Sequence, residues 1–76
     1  MKYNTGRKLS DGTEVVLGDK LKGSQSAEML VLWDEENNDY IVEVIKRPDF
    51  VMQLDEFLNY WGDSVIRLGN ITKRTI

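Results

Sequence analysis

The chain contains no cysteine and no histidine. The absence of cysteine excludes a disulfide framework, and the two absences together remove the commonest zinc ligands. They also remove the usual catalytic nucleophiles and general bases, so we expect neither enzyme activity nor a cofactor. A chain of 76 residues without disulfides or metals depends on a well-packed core or on association with another subunit.

Long apolar runs are also missing. No segment approaches the roughly 18 apolar residues that a membrane-spanning helix needs. Residues 1–10 carry charges but no apolar stretch, which is not the pattern of a secretory signal peptide. We therefore expect residues 1–76 to form one cytoplasmic domain without a membrane segment.

Acidic side chains exceed basic ones, giving a net charge of −3, but the two signs are segregated along the chain. Residues 1–22 carry five basic and three acidic side chains, residues 23–63 carry two and ten, and residues 64–76 carry three and none. Such charges usually lie on solvated strand faces and turns. If the two ends pair in one sheet, however, the molecule is bipolar and its acidic middle segment can dock on a basic protein.

Residues 9–23 combine two reversals and a strand. Asp11-Gly12 and Gly18-Asp19 are turn signals, because these residue types tolerate positive φ. Residues 14–17 between them form a short apolar run containing β-branched side chains, which is typical of a strand. Two turns around so short a strand predict the opening corner of a small, strongly curved β-barrel.

Two apolar segments in the middle of the chain predict an antiparallel hairpin. Residues 28–33 and 40–45 are rich in apolar and β-branched side chains, and they flank the polar run 34–39. The first segment is apolar at every position after Glu28. This pattern predicts a central strand with both of its faces covered.

Beyond Pro48 the apolar period changes from that of a strand to that of a helix. Four large apolar side chains recur at the spacing of one helical face: Phe50, Leu54, Phe57 and Trp61. Asp49 is the predicted N-cap, and Gly62 is placed to end the last turn. A shorter helix that begins near Leu54 fits the pattern as well.

Residues 64–68 return to strand character, and Gly69-Asn70 predicts a bulge or bend at positive φ before a last strand at 71–76. The elements together predict a mainly β fold, a small antiparallel barrel of about five strands with one short α-helix at an end. The predicted core consists of the apolar positions of these elements: Val15, Leu17, Leu21, Met29, Val31, Trp33, Val42, Val44, Leu54, Phe57, Leu58, Trp61, Ile66 and Leu68.

Five short motifs, in order along the chain, resemble those of the YopX-like phage and prophage proteins. They are Tyr3-x-Thr5-Gly6, Asp11-Gly12-x-Glu14, Gly18-Asp19, Trp33-Asp34 and Leu68-Gly69-Asn70-Ile71. The resemblance covers most of the chain and implies a compact SH3-like β-barrel encoded by a phage or prophage. It implies no catalytic residue.

The acidic run 34–39 is the only cluster in the sequence with metal-ligand spacing. An EF-hand calcium loop needs glycine at its sixth position and glutamate at its twelfth, whereas counting from Asp34 places Asp39 and Ile45 there. We therefore predict a solvated turn, in which Glu35, Glu36 and Asp39 are candidates for contacting a protein partner.

The predicted function is a non-catalytic protein-interaction or self-assembly module whose partner is a host protein or a second copy of the chain. Lys73 and Arg74, on the predicted last strand, would approach acidic groups of a neighbour in a homo-oligomer. Alternatively, their charges would keep this edge strand from pairing with another chain, so that the protein stays monomeric. The alternative function is nucleic-acid binding by a small β-barrel. That reading needs five basic side chains to share a face (Lys20, Lys22, Arg67, Lys73 and Arg74), and a pI near 4.8 opposes it.

Overall fold

The structure, a computed structural model, describes residues 2–71. Seven strands, one α-helix and one 3₁₀ turn follow one another along the chain. Their bounds are β1 Asn4–Lys8, β2 Glu14–Val16, β3 Asp19–Lys22, β4 Met29–Asp34, β5 Asp39–Val44, β6 Arg47–Gln53, α1 Leu54–Trp61, the 3₁₀ turn Gly62–Ser64 and β7 Ile66–Asn70.

The strands form two antiparallel sheets. β1 pairs with β2 in a two-stranded sheet, and the other five strands form a sheet in the order β6-β5-β4-β3-β7. The prediction of a mainly β fold with one short helix is confirmed, although the strands are more numerous than the sequence indicated. Within the described residues the sheets do not close into a barrel. No helix in residues 2–71 has the length and apolar character needed to cross a membrane.

One hydrophobic cluster joins the two sheets and the helix. Its fully buried members come from β2, β3, β4, β5 and α1: Val15, Leu21, Val31, Val42, Leu54 and Phe57. Leu17, Trp33, Val44, Leu58 and Trp61 are partly buried against this cluster, as the sequence predicted. The buried core also contains Met29, as predicted, and three side chains that the sequence did not single out: Leu9, Tyr40 and Val65.

The prediction that Ile66 and Leu68 lie in the core is wrong. Ile66 is 54% exposed and Leu68 is 43% exposed, whereas the neighbouring Val65 is 3% exposed. A bulge accounts for part of this difference, because Lys20 pairs with Gly69 while Leu21 pairs with Arg67, so that Leu68 is left out of the ladder.

The central hairpin is confirmed. β4 and β5 pair without interruption from Met29↔Val44 to Asp34↔Asp39. The connecting turn is residues 35–38, and Asn38 adopts a positive φ of 53°. Asparagine tolerates this conformation better than most residues, which suits it to the end of a tight turn.

The helix begins at Leu54, so the shorter of the two predicted helices is the one that forms. The prediction of a helix from Asp49 is wrong, because residues 47–53 form β6 along β5. Pro48 is tolerated in β6 because this is an edge strand and because Pro48 lies where the register is interrupted. Gly62 ends the helix at a φ of 54°, as predicted.

Two of the three predicted glycine turns are confirmed. Gly12 and Gly18 have positive φ values of 91° and 87°. Gly69 does not have positive φ and lies within β7, opposite Lys20. Asp19 and Asn70 likewise belong to strands, which they begin and end respectively, and this corrects the prediction that they are turn residues.

Candidate interaction surface

The predicted acidic site is an exposed turn. Glu35 and Glu36 are exposed, and Asp39 lies opposite Asp34 at the base of the turn. The Asp34 carboxylate accepts hydrogen bonds from the Glu36 amide at 3.0 Å and from the Asn37 side chain at 2.8 Å. In residues 2–71 no group of three potential ligands converges as a metal site would require. Lys73 and Arg74, the predicted basic partners of this turn, lie outside the described residues.

Asp19 is fully buried and is the acceptor at the centre of a polar network. Its carboxylate accepts hydrogen bonds from the Val16 amide at 2.9 Å, from Arg67 Nε at 2.8 Å and from Asn70 Nδ2 at 2.7 Å. Asn70 also donates to the Leu17 carbonyl at 3.0 Å. A buried carboxylate is stable only when such partners compensate for its lost hydration.

This network unites the two motifs that the sequence presented as separate turns. Gly18-Asp19 and Gly69-Asn70 face each other across the β3–β7 pairing, where Asp19 lies opposite Asn70. Gly18 takes part as well, because its carbonyl accepts a hydrogen bond from the Ile71 amide at 3.0 Å. The motifs therefore hold the end of the sheet together, and the inaccessible Asp19 carboxylate is not placed to bind a ligand.

A second polar cluster fastens β1 to the helix. Arg7 donates to both carboxylate oxygens of Asp55, at 2.7 and 2.8 Å, and its guanidinium lies 5.6 Å from the centre of the Tyr40 ring. The hydrogen bonds from Arg7 lower the pKa of Asp55, and those to Asp55 raise the pKa of Arg7. An open groove of about 490 Å³ adjoins the pair between β1 and the helix. Since Arg7 and Asp55 satisfy each other, we assign this cluster a structural role.

The five-stranded sheet has one covered and one uncovered face. Leu21, Met29, Val31 and Val42 point into the core, whereas the residues that alternate with them point away from it. We use the term outer face for six of these outward side chains: Lys20, Leu30, Leu32, Ile41, Glu43 and Val51. Val51 is 53% exposed and the other five are of intermediate exposure.

The register of the strands places these side chains side by side. Leu30 lies between Lys20 on β3 and Glu43 on β5, and Val51 continues the row on β6. Leu32 and Ile41 form the adjacent row. None of these apolar side chains belongs to the hydrophobic core cluster. β4 is the central strand of the sheet, as predicted, but the intermediate exposure of Leu30 and Leu32 shows that its second face is only partly covered within the described residues.

The two edges of the sheet also expose apolar side chains. Phe50 lies on β6, and Ile66 and Leu68 lie on β7. In the described part of the chain, β6 pairs only with β5 and β7 only with β3. Free edges of this kind offer backbone donors and acceptors to another chain.

The basic side chains proposed for nucleic-acid binding do not all share a face. Lys20 and Lys22 point outward from β3, at alternate positions along the strand. Arg67 lies opposite the inward-pointing Leu21 and donates to the buried Asp19, so its charge is already paired. Lys73 and Arg74 lie outside the described residues.

Sequence reasoning missed the outer face and the burial of Asp19. The alternation of Lys20, Leu21 and Lys22 gave the correct inward residue on β3, but β4 is apolar in both phases and so gave no indication of which face is uncovered. For Asp19, the donors Arg67 and Asn70 are distant in sequence, and no local pattern connects them. Comparisons of the chain with protein-family models, curated proteins and solved structures found no match.

Proposed function

We propose that this chain is a non-catalytic protein-interaction or self-assembly module that contacts its partner through the outer face. The observation that carries the proposal is the set of half-exposed apolar side chains on adjacent strands: Leu30, Leu32, Ile41 and Val51. Contiguous apolar surface of this kind commonly marks a site of protein association, because burying it removes apolar area from water.

The charges within the outer face define the chemistry of the partner. Lys20 and Glu43 border Leu30 on its two sides, and neither forms an ion pair within residues 2–71. A partner that fits this surface presents an apolar centre bordered by one acidic and one basic group. Charged side chains at the rim of an apolar contact mainly set specificity and orientation.

The resemblance to YopX-like proteins implies a phage or prophage origin and no catalytic residue, and we propose that the chain acts in the cytoplasm of the cell that carries the phage or prophage. We propose that the fold is a partly open form of the SH3-like barrel that this resemblance implies. Two hydrogen bonds support that reading, because they tie the turn after β2 to other parts of the fold. The Gly18 amide donates to the Val31 carbonyl at 2.9 Å, and the Leu17 amide donates to the Tyr3 carbonyl at 2.8 Å.

The proposal is tested by affinity capture from the host with the chain as bait, comparing the wild-type protein with a Leu30→Glu/Leu32→Lys variant. The charges make the outer face unsuitable for an apolar contact, and they leave the inward side chains of β4 unchanged. Gln25→Lys, in an exposed loop, is the matched control. We expect a partner that the control retains and the double variant loses. Equal capture by all three proteins contradicts the proposal, and so does capture of nothing by a chain that also stays monomeric.

Nucleic-acid binding is the alternative, and the outward position of Lys20 and Lys22 is the observation in its favour. A titration with single-stranded and duplex DNA at about 150 mM salt distinguishes the two functions, because basic contacts make affinity strongly salt-dependent. We expect weak binding at most. A sub-micromolar complex that weakens with added salt and is lost in Lys20→Gln/Lys22→Gln reverses the order of the two proposals.

A further inference from the structure

We infer that the partner of the outer face is a second copy of this chain, bound face to face about a two-fold axis parallel to β4. This inference rests on the proposed function and adds to it the identity of the partner and the orientation of the contact. It follows from the order of side chains in one row across the sheet. The row contains, from β7 to β6, Gly69, Lys20, Leu30, Glu43 and Val51.

The charge order of this row is self-complementary. A two-fold axis that lies in the interface along β4 leaves β4 opposite its own copy. It places the β7 edge of one sheet opposite the β6 edge of the other. Lys20 of each protomer then faces Glu43 of the other, and Leu30 meets its own copy at the centre. Each opposite-charge contact forms twice, as in any isologous interface.

The same row disfavours the other in-plane arrangement. A two-fold axis running across the strands places Lys20 opposite Lys20 and Glu43 opposite Glu43. Like charges placed opposite each other in an interface cost free energy and thereby suppress that orientation. The charge order therefore specifies one direction for the axis.

The ends of the row provide an independent observation. Within residues 2–71 nothing requires glycine at position 69, because its φ is not positive and a Cβ added there meets none of the described atoms within 4 Å. In the proposed dimer Gly69 faces the exposed side chain of Val51 from the other protomer. The missing side chain leaves room for Val51, which gives Gly69 a role in the dimer.

The size of the outer face indicates a weak dimer. With strands about 4.8 Å apart and a rise of about 3.3 Å per residue, each outward side chain covers about 30 Å², so the six of the outer face cover about 200 Å² in projection. Such an area is well below the roughly 800 Å² per partner of a stable interface, so the association should be transient. We expect a dissociation constant in the micromolar range, which is accessible to sedimentation equilibrium.

Charge exchange tests the inference directly. Lys20→Glu and Glu43→Lys each place like charges opposite each other at both contacts, so each variant raises the dimer Kd by about tenfold or more. The double variant restores the opposite pairs, and we expect its Kd to return to within about threefold of the wild-type value. Gln25→Glu is the control, and circular dichroism verifies that every variant is folded.

Two further variants probe the geometry. Gly69→Leu fills the space proposed for Val51 and so weakens the dimer, while its Cβ meets none of the described atoms of its own protomer within 4 Å. Leu30→Cys introduces the chain's only thiol, since the natural sequence has no cysteine. We expect a short bis-maleimide to join two Leu30→Cys protomers at the axis and to leave a Glu36→Cys control largely monomeric.

The possible outcomes separate the inference from the proposed function. A wild-type protein that stays monomeric to high micromolar concentration overturns the inference. So does a dimer whose Kd is unchanged in both Lys20→Glu and Glu43→Lys. If that monomer still captures another protein through the outer face, the proposed function stands and only the identity of the partner is wrong. If it captures nothing, both fail.

Discussion

The indole of Trp61 occupies the space in which a side chain of Gly23 would begin. A Cβ built on Gly23 would lie 2.5 Å from Cγ and Cδ2 of Trp61, a separation that non-bonded carbon atoms do not adopt. Gly23 follows β3 and Trp61 ends the helix, so this contact sets how closely the helix approaches the sheet.

Replacing Gly23 by alanine should therefore lower the free energy of unfolding by about 1–3 kcal/mol, because the Trp61 ring and the helix end must shift. The change is measured by urea denaturation. In the background Trp61→Ala the ring atoms are gone and only the Cβ of residue 61, at 2.8 Å, still opposes the added methyl group, so the same glycine replacement should cost less. Equal costs in the two backgrounds would show that the ring of Trp61 is not the obstacle.

Gly18 and Gly69 should respond differently to alanine. Gly18 has a φ of 87°, a conformation in which a Cβ is strained, so Gly18→Ala should cost about 1 kcal/mol or more. Gly69→Ala should change protomer stability by less than about 0.5 kcal/mol, since position 69 lies in open space at ordinary backbone angles. Thermal melts at low protein concentration compare the two, and similar losses would contradict the assignment.

The buried carboxylate of Asp19 should contribute strongly to stability. Asp19→Ala leaves the Val16 amide and Arg67 Nε without the acceptor described above and removes one of the two acceptors of Asn70 Nδ2, so we expect a loss of about 3 kcal/mol. Asn70→Ala should cost less, about 1 kcal/mol, because Asp19 retains two donors. Glu35→Gln in the exposed turn is the control for loss of a negative charge. An Asp19→Ala variant as stable as this control would refute the role assigned to the network.

Acid should weaken the attachment of β1 to the helix. The Arg7 hydrogen bonds lower the pKa of Asp55 in the folded state relative to the unfolded chain. A lowered folded-state pKa means that the stabilisation is fully present above the unfolded value, about pH 4, and is lost as the pH falls further. Because both side chains are partly exposed, the effect should be only a few tenths of a kcal/mol.

The measurement is the difference in unfolding free energy between wild type and Asp55→Asn, followed from pH 7 to pH 2. The difference should begin to shrink below about pH 4, where Asp55 of the unfolded chain takes up its proton, and should level off only below the lowered pKa of folded Asp55. Asp11 also has a lowered pKa, caused by hydrogen bonds from Thr13. The stability of the Asp55→Asn variant should therefore still depend on pH in acid. A difference that does not vary with pH would contradict the prediction.

The parts of the fold that local patterns determine were predictable from the sequence. The hairpin follows from two segments of apolar and β-branched residues around a polar turn. The turn glycines Gly12 and Gly18 could be placed because they flank the short strand β2. The helix was harder, because Phe50 matches the helical spacing of Leu54 and Phe57 by coincidence. Residues 47–53 become a strand because they pair with β5, and this is a tertiary interaction that no single-segment pattern reveals.

The interaction surface was predictable only in part. The alternation of polar and apolar residues on β3 identifies Lys20 as outward-pointing. The apolar run at the start of β4 does not reveal whether a second layer covers the outer face of the sheet. Likewise, Gly69-Asn70 predicted a bulge or bend, but only the pairing with β3 places the bulge at Leu68 and decides which β7 side chains oppose their β3 neighbours. Register and coverage are properties of the assembled sheet.

The pairing of β7 with β3 has a consequence for how the chain folds during synthesis. The strands of the hairpin β4–β5 are adjacent in sequence and can pair soon after they emerge from the ribosome, and β3 can pair with β4. The other edge of β3 must wait for residues about 45 to 50 positions later, from Arg67 to Asn70. Until those residues arrive, the Asp19 carboxylate lacks two of its three donors and stays hydrated, which keeps the end of the sheet open. Closure by β7 thus makes completion of the fold a late, long-range step, and an unfinished chain exposes the edge of β3 to other strands in the meantime.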